Sequence, residues 1–204
     1  MDTPDIRRIA SVLQFLKDVE PLKDTLRTGR TSQGRQESTA EHCWRLALSA
    51  MLFAADRPDL DCRRLLELCL VHDLGEVVGG DVPAPLQVND PDRAARERAD
   101  LTTLVRTLPR DLADMILARW DEYADAMTPE ALAAKALDKL ETMTQHLAGR
   151  NAEDFDYSFN LSYGRVYTDS HPQTMAARSI VDGQMLARLG GGHVTASHRS
   201  NSPT

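Results

Sequence analysis

The sequence is poor in aromatic side chains, in cysteine and in long apolar runs. Each of these shortages argues against one class of protein. Aromatic residues make up 5% of the 204 positions, and no strand-like alternation extends beyond a few residues, so the periodicity is helical. The three cysteines, Cys43, Cys62 and Cys69, form no CxxC pair, and an odd number is a poor disulfide framework. Because no run of eighteen apolar residues exists, a membrane-spanning helix is not expected.

What the chain does contain is typical of one globular domain. Hydrophobic residues account for 42% and charged residues for 27%, close to the averages of folded proteins. The 31 acidic and 24 basic residues give a net charge of −7, which argues against binding a nucleic acid polymer or an anionic membrane. Residues 1–8 are polar and of mixed charge, unlike a secretory signal. We expect a cytoplasmic protein that binds a small molecule and keeps its cysteines reduced.

Apolar residues recur every three to four positions along most of the chain, which predicts an all-α fold built as a single helical bundle. The segment 22–36 interrupts this pattern with basic side chains and glycines, and we expect a basic loop there. A last helix is predicted over 173–189. The glycine- and serine-containing remainder, 190–204, is expected to be a flexible tail outside the domain 1–189.

Three predicted helices carry residues with metal-binding chemistry. A capping box starts one helix, and His42 lies in its first turn. A largely apolar helix ends at His72 and Asp73, and a helix over 129–147 places Asp138 near its middle. His146 lies eight residues after Asp138, close to the same face. We expect it to be a structural or surface histidine rather than a further ligand.

Two more carboxylates follow the His72-Asp73 pair in a glycine-rich turn. Glu76 and Asp81 lie within eight residues of Asp73. A buried helix end that concentrates these groups is costly unless a cation or a proton neutralises them. A divalent metal is the simplest solution.

The set His42, His72, Asp73 and Asp138 resembles the ligand pattern of the HD-domain metal-dependent phosphohydrolases. Two imidazoles and two carboxylates suit one divalent transition metal, namely Mn, Co, Fe, Ni or Zn, better than Ca, and Mg is less suited. The segment 72–83, HDLGEVVGGDVP, is similar to the 5′-deoxynucleotidase branch of this family. Further similar patches lie at 37–42, 120–123 and 135–141, so that the likeness covers residues 8–187.

The resemblance implies an HD-domain bundle with the metal site in its core, and hydrolysis of (deoxy)nucleoside 5′-monophosphates to nucleoside and phosphate. It also implies that Glu76 and Asp81 are the catalytic carboxylates and that the protein is a homodimer. Our interpretation places Glu76 near the leaving group and Asp81 near the attacking water, although the sequence does not decide between the two orders. For Asp81 alone, a turn residue after two glycines is the alternative.

Basic residues before His42 are candidates for binding the substrate phosphate. By the resemblance Arg27 is the best match, followed by Arg30, and Arg35 and Lys139 add positive charge; a solvated basic loop is the alternative. Bacterial members have an aromatic residue after that arginine that helps to reject ribonucleotides. This chain has Thr28 there, so another aromatic residue, such as Trp44 or a tyrosine within 157–167, would have to replace it.

Two other functions remain open at this point. One is a different phosphomonoesterase on the same scaffold, acting for instance on a nucleoside-analogue phosphate, since a fold does not fix a substrate. The other is a nucleotide-binding regulator without turnover. Release of inorganic phosphate separates the two enzymes from the regulator.

Overall fold

The computed structural model describes residues 5–87 and 90–196, except for the side chains of 191–196, and confirms the all-α prediction. Within that range the chain forms α1 (Ile6–Asp18), α2 (Thr39–Ala54), α3 (Cys62–Val71), α4 (Glu76–Gly79), α5 (Ala84–Gln87), α6 (Arg93–Leu104), α7 (Arg110–Asp125), α8 (Pro129–Ala148), α9 (Arg165–Thr168) and α10 (Pro172–Ala196). Short 3₁₀ segments lie at Glu20–Lys23, Val105–Thr107 and Ser158–Leu161. None of the described helices is both long enough and apolar enough to span a bilayer.

The prediction of a loop over 22–36 is wrong, because this segment contains a small antiparallel hairpin. Strand β1 (Leu26–Arg30) pairs with β2 (Gln36–Ser38), with Leu26 opposite Ser38. Gly34 lies in the connecting turn with φ at +90°, a conformation that favours glycine. Strands of five and three residues are too short to show an alternating apolar pattern, which is why periodicity missed them.

Helix α8 is the centre of the bundle. Thirteen of its twenty residues are buried, and α2, α3, α7 and α10 pack around it. Leu46 of α2, Leu68 of α3 and Met143 of α8 are fully buried in one apolar cluster. Burying a side chain of this size contributes roughly 1.5–3 kcal/mol, so this cluster fixes α2, α3 and α8 relative to one another. Those are the helices that carry the predicted metal ligands.

The last helix continues beyond its predicted end at Leu189 to Ala196. It therefore includes the glycines at 190–192, which cost roughly 1 kcal/mol each relative to alanine in a helix interior but do not forbid the helix. The remainder of the predicted tail, 197–204, lies outside the described residues. The division of the chain at residue 189 stays a prediction.

Candidate active site

The start of α2 places His42 inside the bundle. The predicted capping box is present: the Ser38 hydroxyl accepts a hydrogen bond from Glu41 N at 3.3 Å, and the Glu41 carboxylate accepts one from Ser38 N at 3.0 Å. Such a box satisfies two amides that the first helical turn leaves without partners. It fixes the first residue of α2, Thr39, and His42, three positions later, is completely buried.

The four residues predicted as metal ligands lie side by side. His42 Nε2 is 3.2 Å from Asp138 Oδ1 and 3.8 Å from Asp73 Oδ2. His72, which caps the C-terminus of α3, places its Nε2 3.0 Å from the same Asp73 oxygen. The ligand atoms of His42, His72 and Asp73 all lie within 4.8 Å of one another. The structure thus brings together residues that are up to 96 positions apart in the sequence.

The Nε2 atoms of His42 and His72 both face the carboxylates of Asp73 and Asp138. His72 Nδ1 lies 3.0 Å from the carbonyl oxygen of Cys69, and because a carbonyl only accepts, Nδ1 carries the proton. His42 Nδ1 donates to the Glu141 carboxylate at 2.5 Å. In neutral imidazoles the remaining nitrogens, both Nε2, are then acceptors that face carboxylate oxygens. Acceptors that face each other at this distance need a cation or a proton between them.

Most of the described buried polar atoms that lack a hydrogen-bond partner lie among these candidate ligands. Five buried side-chain atoms among the described residues lack a hydrogen-bond partner, and three of them are His42 Nε2, His72 Nε2 and Asp73 Oδ2. Leaving one such atom unpaired costs roughly 1–3 kcal/mol, so a native fold rarely collects three without a ligand. Mixed imidazole and carboxylate donors fit a divalent transition metal.

Asp138 is held in its ionised form by its neighbours. Its Oδ2 accepts hydrogen bonds from Tyr123 Oη at 2.7 Å and from Lys139 Nζ at 2.8 Å, which leaves Oδ1 directed at His42. Burial alone would raise the pKa of Asp138, but the neighbouring Lys139 ammonium holds it well below the usual range. The carboxylate is therefore charged and available as a ligand.

Glu141 lies behind His42, on the side away from the other candidate ligands, and this contact was not predicted. Its side chain is completely buried between His42 and Arg45, whose Nε donates to it at 2.6 Å. A carboxylate of this kind fixes the ring and raises the basicity of a metal-ligating histidine. Its position three residues after Asp138 on α8 is the sequence signal that could have pointed to it.

We expect Glu141→Gln to weaken metal binding by roughly 10- to 100-fold, because the His42 ring loses a charged partner. Competition with a chromophoric chelator measures the affinity. Glu130→Gln is the matched control, since Glu130 is also buried on α8 but accepts from Asp61 N, away from the ligands. An unchanged metal affinity in Glu141→Gln would contradict this role.

Glu76 and Asp81 both border the cavity at the metal site. Glu76 is 4% exposed, and Thr39 Oγ1 donates to its Oε2 at 3.2 Å. Burial, together with the charges of Asp73 and Asp81, raises the pKa of Glu76 to about 10. Burial also raises the pKa of Asp81, and Arg27 opposes that shift. With that pKa, Glu76 holds a proton at neutral pH in the metal-free site.

Arg27 is the predicted cation that reaches the site. Its Nη1 lies 3.6 Å from Asp73 Oδ2 and 4.0 Å from Asp81 Oδ1, and its Nη2 donates to Thr142 Oγ1 at 3.1 Å. A further carboxylate, Glu37, lies 3.7 Å from Nε, and burial and Glu141 raise the pKa of Glu37 to about 7. Three carboxylates therefore lie near the guanidinium, but none of them is close enough to accept a hydrogen bond from it.

Arg30 and Arg35, also predicted to bind substrate, lie elsewhere because the segment is a hairpin and not a loop. Arg30 Nη1 donates to Gly34 O at 2.7 Å within the turn. Arg35 is exposed and forms an ion pair with Glu41. Neither borders the cavity, whereas Lys139 does.

The cavity has a volume of about 530 Å³, within the usual range for small-molecule sites. Thr28 borders it, and Trp44, which was considered as the replacement aromatic residue, is 65% exposed on α2 and does not. The aromatic and histidine side chains that border it are His72, Trp120, Tyr123, His146, Phe155, Phe159 and Tyr163. His146 is thus buried at the cavity wall rather than on the surface.

Comparison with known proteins identifies the family. A model of the HD domain matches residues 19–178. The chain belongs to the HD domain family. Among the relatives of this HD domain, 5′-deoxynucleotidase HDDC2 from Homo sapiens is 33% identical over 156 residues, which cover 72% of this chain and 76% of that protein. The protein of the same name from Bos taurus is 28% identical over 191 residues, 91% of each.

A solved structure supports the same assignment. The crystal structure described as a "predicted metal-dependent phosphohydrolase" from Magnetospirillum magnetotacticum MS-1 matches with a TM-score of 0.71 and 27% identity. The match covers 87% of this HD domain and 95% of the other chain. The resemblance inferred from the sequence is therefore confirmed at the level of family and fold.

Proposed function

We propose that this HD domain protein is a metal-dependent phosphomonoesterase that hydrolyses nucleoside 5′-monophosphates, deoxyribonucleotides foremost, to nucleoside and phosphate. The observation that carries the proposal is the group of three unpartnered ligand atoms beside a cavity that also contains Arg27, Glu76 and Asp81. Relatives named 5′-deoxynucleotidase, which this chain matches over two thirds or more of its length, support the substrate class.

His42, His72, Asp73 and Asp138 would hold one divalent metal, with Mn, Co, Fe, Ni or Zn favoured over Mg by the donor set. When bound, such a metal polarises a phosphate oxygen and makes water a better nucleophile near neutral pH. Phosphate binding and proton transfer are then carried out by side chains of the protein.

Arg27 is placed to hold the substrate phosphate. Its one hydrogen bond to a described side chain goes to Thr142, a neutral hydroxyl, while Asp73 and Asp81 stay 3.6 and 4.0 Å away. Nη1 is thus free to donate to a phosphate oxygen, and the fork geometry of a guanidinium suits that partner. The nearby carboxylates keep the buried guanidinium charged.

Glu76 and Asp81 carry out the proton transfers. A water oxygen attacks phosphorus, the bond from phosphorus to the 5′-oxygen breaks, and that oxygen must gain a proton as the nucleoside leaves. Glu76, the carboxyl group that holds a proton, donates it to the 5′-oxygen, and Asp81 accepts the proton of the water. Inorganic phosphate is the second product.

We expect Arg27→Gln to raise the KM for a nucleoside monophosphate by roughly 10- to 100-fold, the effect of losing a hydrogen bond to a charged group. Steady-state kinetics measure it, with metal content and melting temperature determined in parallel because Arg27 is buried among carboxylates. Arg30→Gln and Arg35→Gln are the matched controls and keep the wild-type KM. A wild-type KM in Arg27→Gln would remove this residue from phosphate binding.

The test of the proposed function is phosphate release from a panel of deoxyribo- and ribonucleoside monophosphates. Metal-stripped protein is reconstituted with Mn, Co, Fe, Ni, Zn or Mg in turn. Release from deoxynucleoside 5′-monophosphates supports the proposal and gives the sugar preference. Release only from other esters indicates a different phosphomonoesterase, and nucleotide binding without release indicates a regulator.

The homodimer is part of the proposal, and the cytoplasmic location stays a prediction from composition. Helix α2 presents large apolar side chains to solvent at helical spacing, which is typical of a surface that another protein covers. These side chains are Trp44, Leu48, Met51 and Leu52. Sedimentation velocity tests the dimer, which has twice the 22.6 kDa mass of one chain.

A further inference from the structure

The cavity continues along α8 beyond the phosphate site to an aromatic end. Asp138, Thr142 and His146 lie four residues apart on one face of α8, and the cavity borders all three. At 1.5 Å per residue, Thr142 is about 6 Å and His146 about 12 Å along the axis from Asp138. Since Arg27 binds Thr142, a substrate phosphate held between Asp138 and Arg27 has room for its nucleoside towards His146.

Asn160 fixes the tautomer of His146. The amide nitrogen of Asn160 donates to Tyr157 O at 3.3 Å, so its oxygen is the atom that lies 2.8 Å from His146 Nδ1. An amide oxygen only accepts, and Nδ1 therefore carries the proton. His146 is 7% exposed, and burial lowers its pKa, which keeps the ring neutral. Its Nε2 is then a hydrogen-bond acceptor, to which none of the described side chains donates.

A buried arginine holds Asn160 in place. Arg178 of α10 is 1% exposed, and its Nη2 donates to the carbonyl oxygens of Asn160 and Leu161, each at 2.8 Å. Its Nη1 donates to Tyr163 O at 2.7 Å, and its Nε pairs with Asp182. These contacts leave the segment that carries Asn160 little freedom. The acceptor on His146 is therefore preorganised before any ligand binds.

Aromatic rings surround this acceptor. Phe155 packs edge-on against the His146 ring, with ring centres 4.8 Å apart and planes at 68°. Phe159, whose ring centre is 5.1 Å from that of Tyr163, also borders the cavity. Aromatic rings beside a directed acceptor are the usual form of a site for a flat, partly polar ligand.

We propose that His146 Nε2 accepts a hydrogen bond from the nucleoside part of the substrate, which lies against Phe155 and Phe159. This inference rests on the proposed function and names the subsite that distinguishes a nucleotide from other phosphate esters. The donor is either the 3′-hydroxyl of the sugar or an N–H of the base.

The test compares His146→Phe with His146→Gln. The Phe variant keeps a ring beside Phe155 but has no acceptor, whereas the Gln variant restores an acceptor oxygen near the Nε2 position. For deoxyadenosine 5′-monophosphate we expect His146→Phe to raise KM roughly tenfold with little change in kcat, and His146→Gln to recover most of this loss. For p-nitrophenyl phosphate, which has no nucleoside, we expect no change. His171→Phe, outside the cavity, is the control.

Two analogues identify the donor. If it is the 3′-hydroxyl, wild-type protein loses about tenfold on 2′,3′-dideoxyadenosine 5′-monophosphate, and His146→Phe does not discriminate against it. If the donor is an N–H of the base, wild-type protein loses about tenfold on 2-deoxyribose 5-phosphate, which has no base, and His146→Phe does not discriminate against this compound. An equal rise in KM for p-nitrophenyl phosphate and the nucleotide, or no rise for the nucleotide, would overturn the inference.

Calorimetric binding of 2′-deoxyadenosine to metal-free protein gives a readout that does not depend on turnover. We expect a roughly tenfold weaker Kd in His146→Phe and near wild-type binding in His146→Gln. If the wild-type protein hydrolyses p-nitrophenyl phosphate but no nucleotide, the proposed function fails, and this binding series decides the inference by itself. Equal binding by wild type and His146→Phe would refute it.

Discussion

His72→Ala is expected to abolish both stoichiometric metal binding and phosphate release, with activity at least roughly 10³-fold below wild type. His72 supplies one of the three unpartnered buried atoms at this site, and without it the proposed set of four ligands is reduced to His42, Asp73 and Asp138, which is one donor too few to hold a divalent ion tightly. Because catalysis of this class depends on the metal for charge neutralisation and for the nucleophile, activity is lost with the metal. Metal analysis after gel filtration and a phosphate assay measure the two effects.

Thermal unfolding provides a second readout of the same prediction. A metal that binds only the folded state stabilises it by about 2.7 kcal/mol at a hundred times its Kd. Wild-type protein should therefore melt at a higher temperature when Mn or Co is added, and His72→Ala should not. His171→Ala, a histidine before the proline that starts α10, should respond as wild type does. A His72→Ala protein that binds one metal and turns over would exclude this residue as a ligand.

The candidate metal ligands were predictable because each lies at a position that local sequence marks. A capping box fixes the first turn that carries His42, the polar end of an apolar helix carries His72, and Pro129 and Gly149 bound the helix around Asp138. These signals are local in the sequence, and because helix geometry is regular, the position of a residue within a helix predicts which way its side chain lies. The all-α class followed from the same periodicity, whereas the HD family was indicated by the resemblance of the motifs around these residues.

The substrate side of the cavity was less predictable because contacts distant in sequence build it. Arg27 meets Thr142, 115 residues later, only because a hairpin that has no periodic signal turns β1 towards α8. The same hairpin takes Arg30 away from the cavity. The tautomer of His146 depends on Asn160, and the sequence around Asn160 has no periodic pattern that predicts how this segment folds. Such pairings require the tertiary structure.

Glu141 and Glu76 show how one residue type serves two purposes in a single site. Burial works against the charge of both, but Glu141 is flanked by His42 and Arg45, which hold its pKa below the usual value. Glu76 faces Asp73 and Asp81 instead, and its pKa rises. The first is therefore suited to be a fixed negative charge behind His42, and the second is suited to carry a proton.

Glu76→Gln is expected to lower kcat by roughly 10²- to 10⁴-fold, the usual contribution of a positioned proton donor, while metal content stays at the wild-type level. The amide keeps the size of the side chain, and its oxygen still accepts from Thr39, so the cavity is preserved. Glu97→Gln is the matched control, because Glu97 also borders the cavity but pairs with Arg93 at 2.6 Å. It should stay within about threefold of wild type.

The stability of the metal-free variant provides an independent test with a definite sign. The pKa of Glu76 is about 10 in the folded protein, above its ordinary value of 4.5, so the folded state binds this proton more tightly than the unfolded state. The contribution of Glu76 to stability therefore falls as pH rises from about 4.5 towards 10, and Glu76→Gln lacks this loss. At pH 7 the metal-free variant should melt above metal-free wild type, with a gap that widens as pH rises. Full turnover, or a variant that melts lower at every pH, would mean that Glu76 is not the protonated carboxyl that donates to the leaving oxygen.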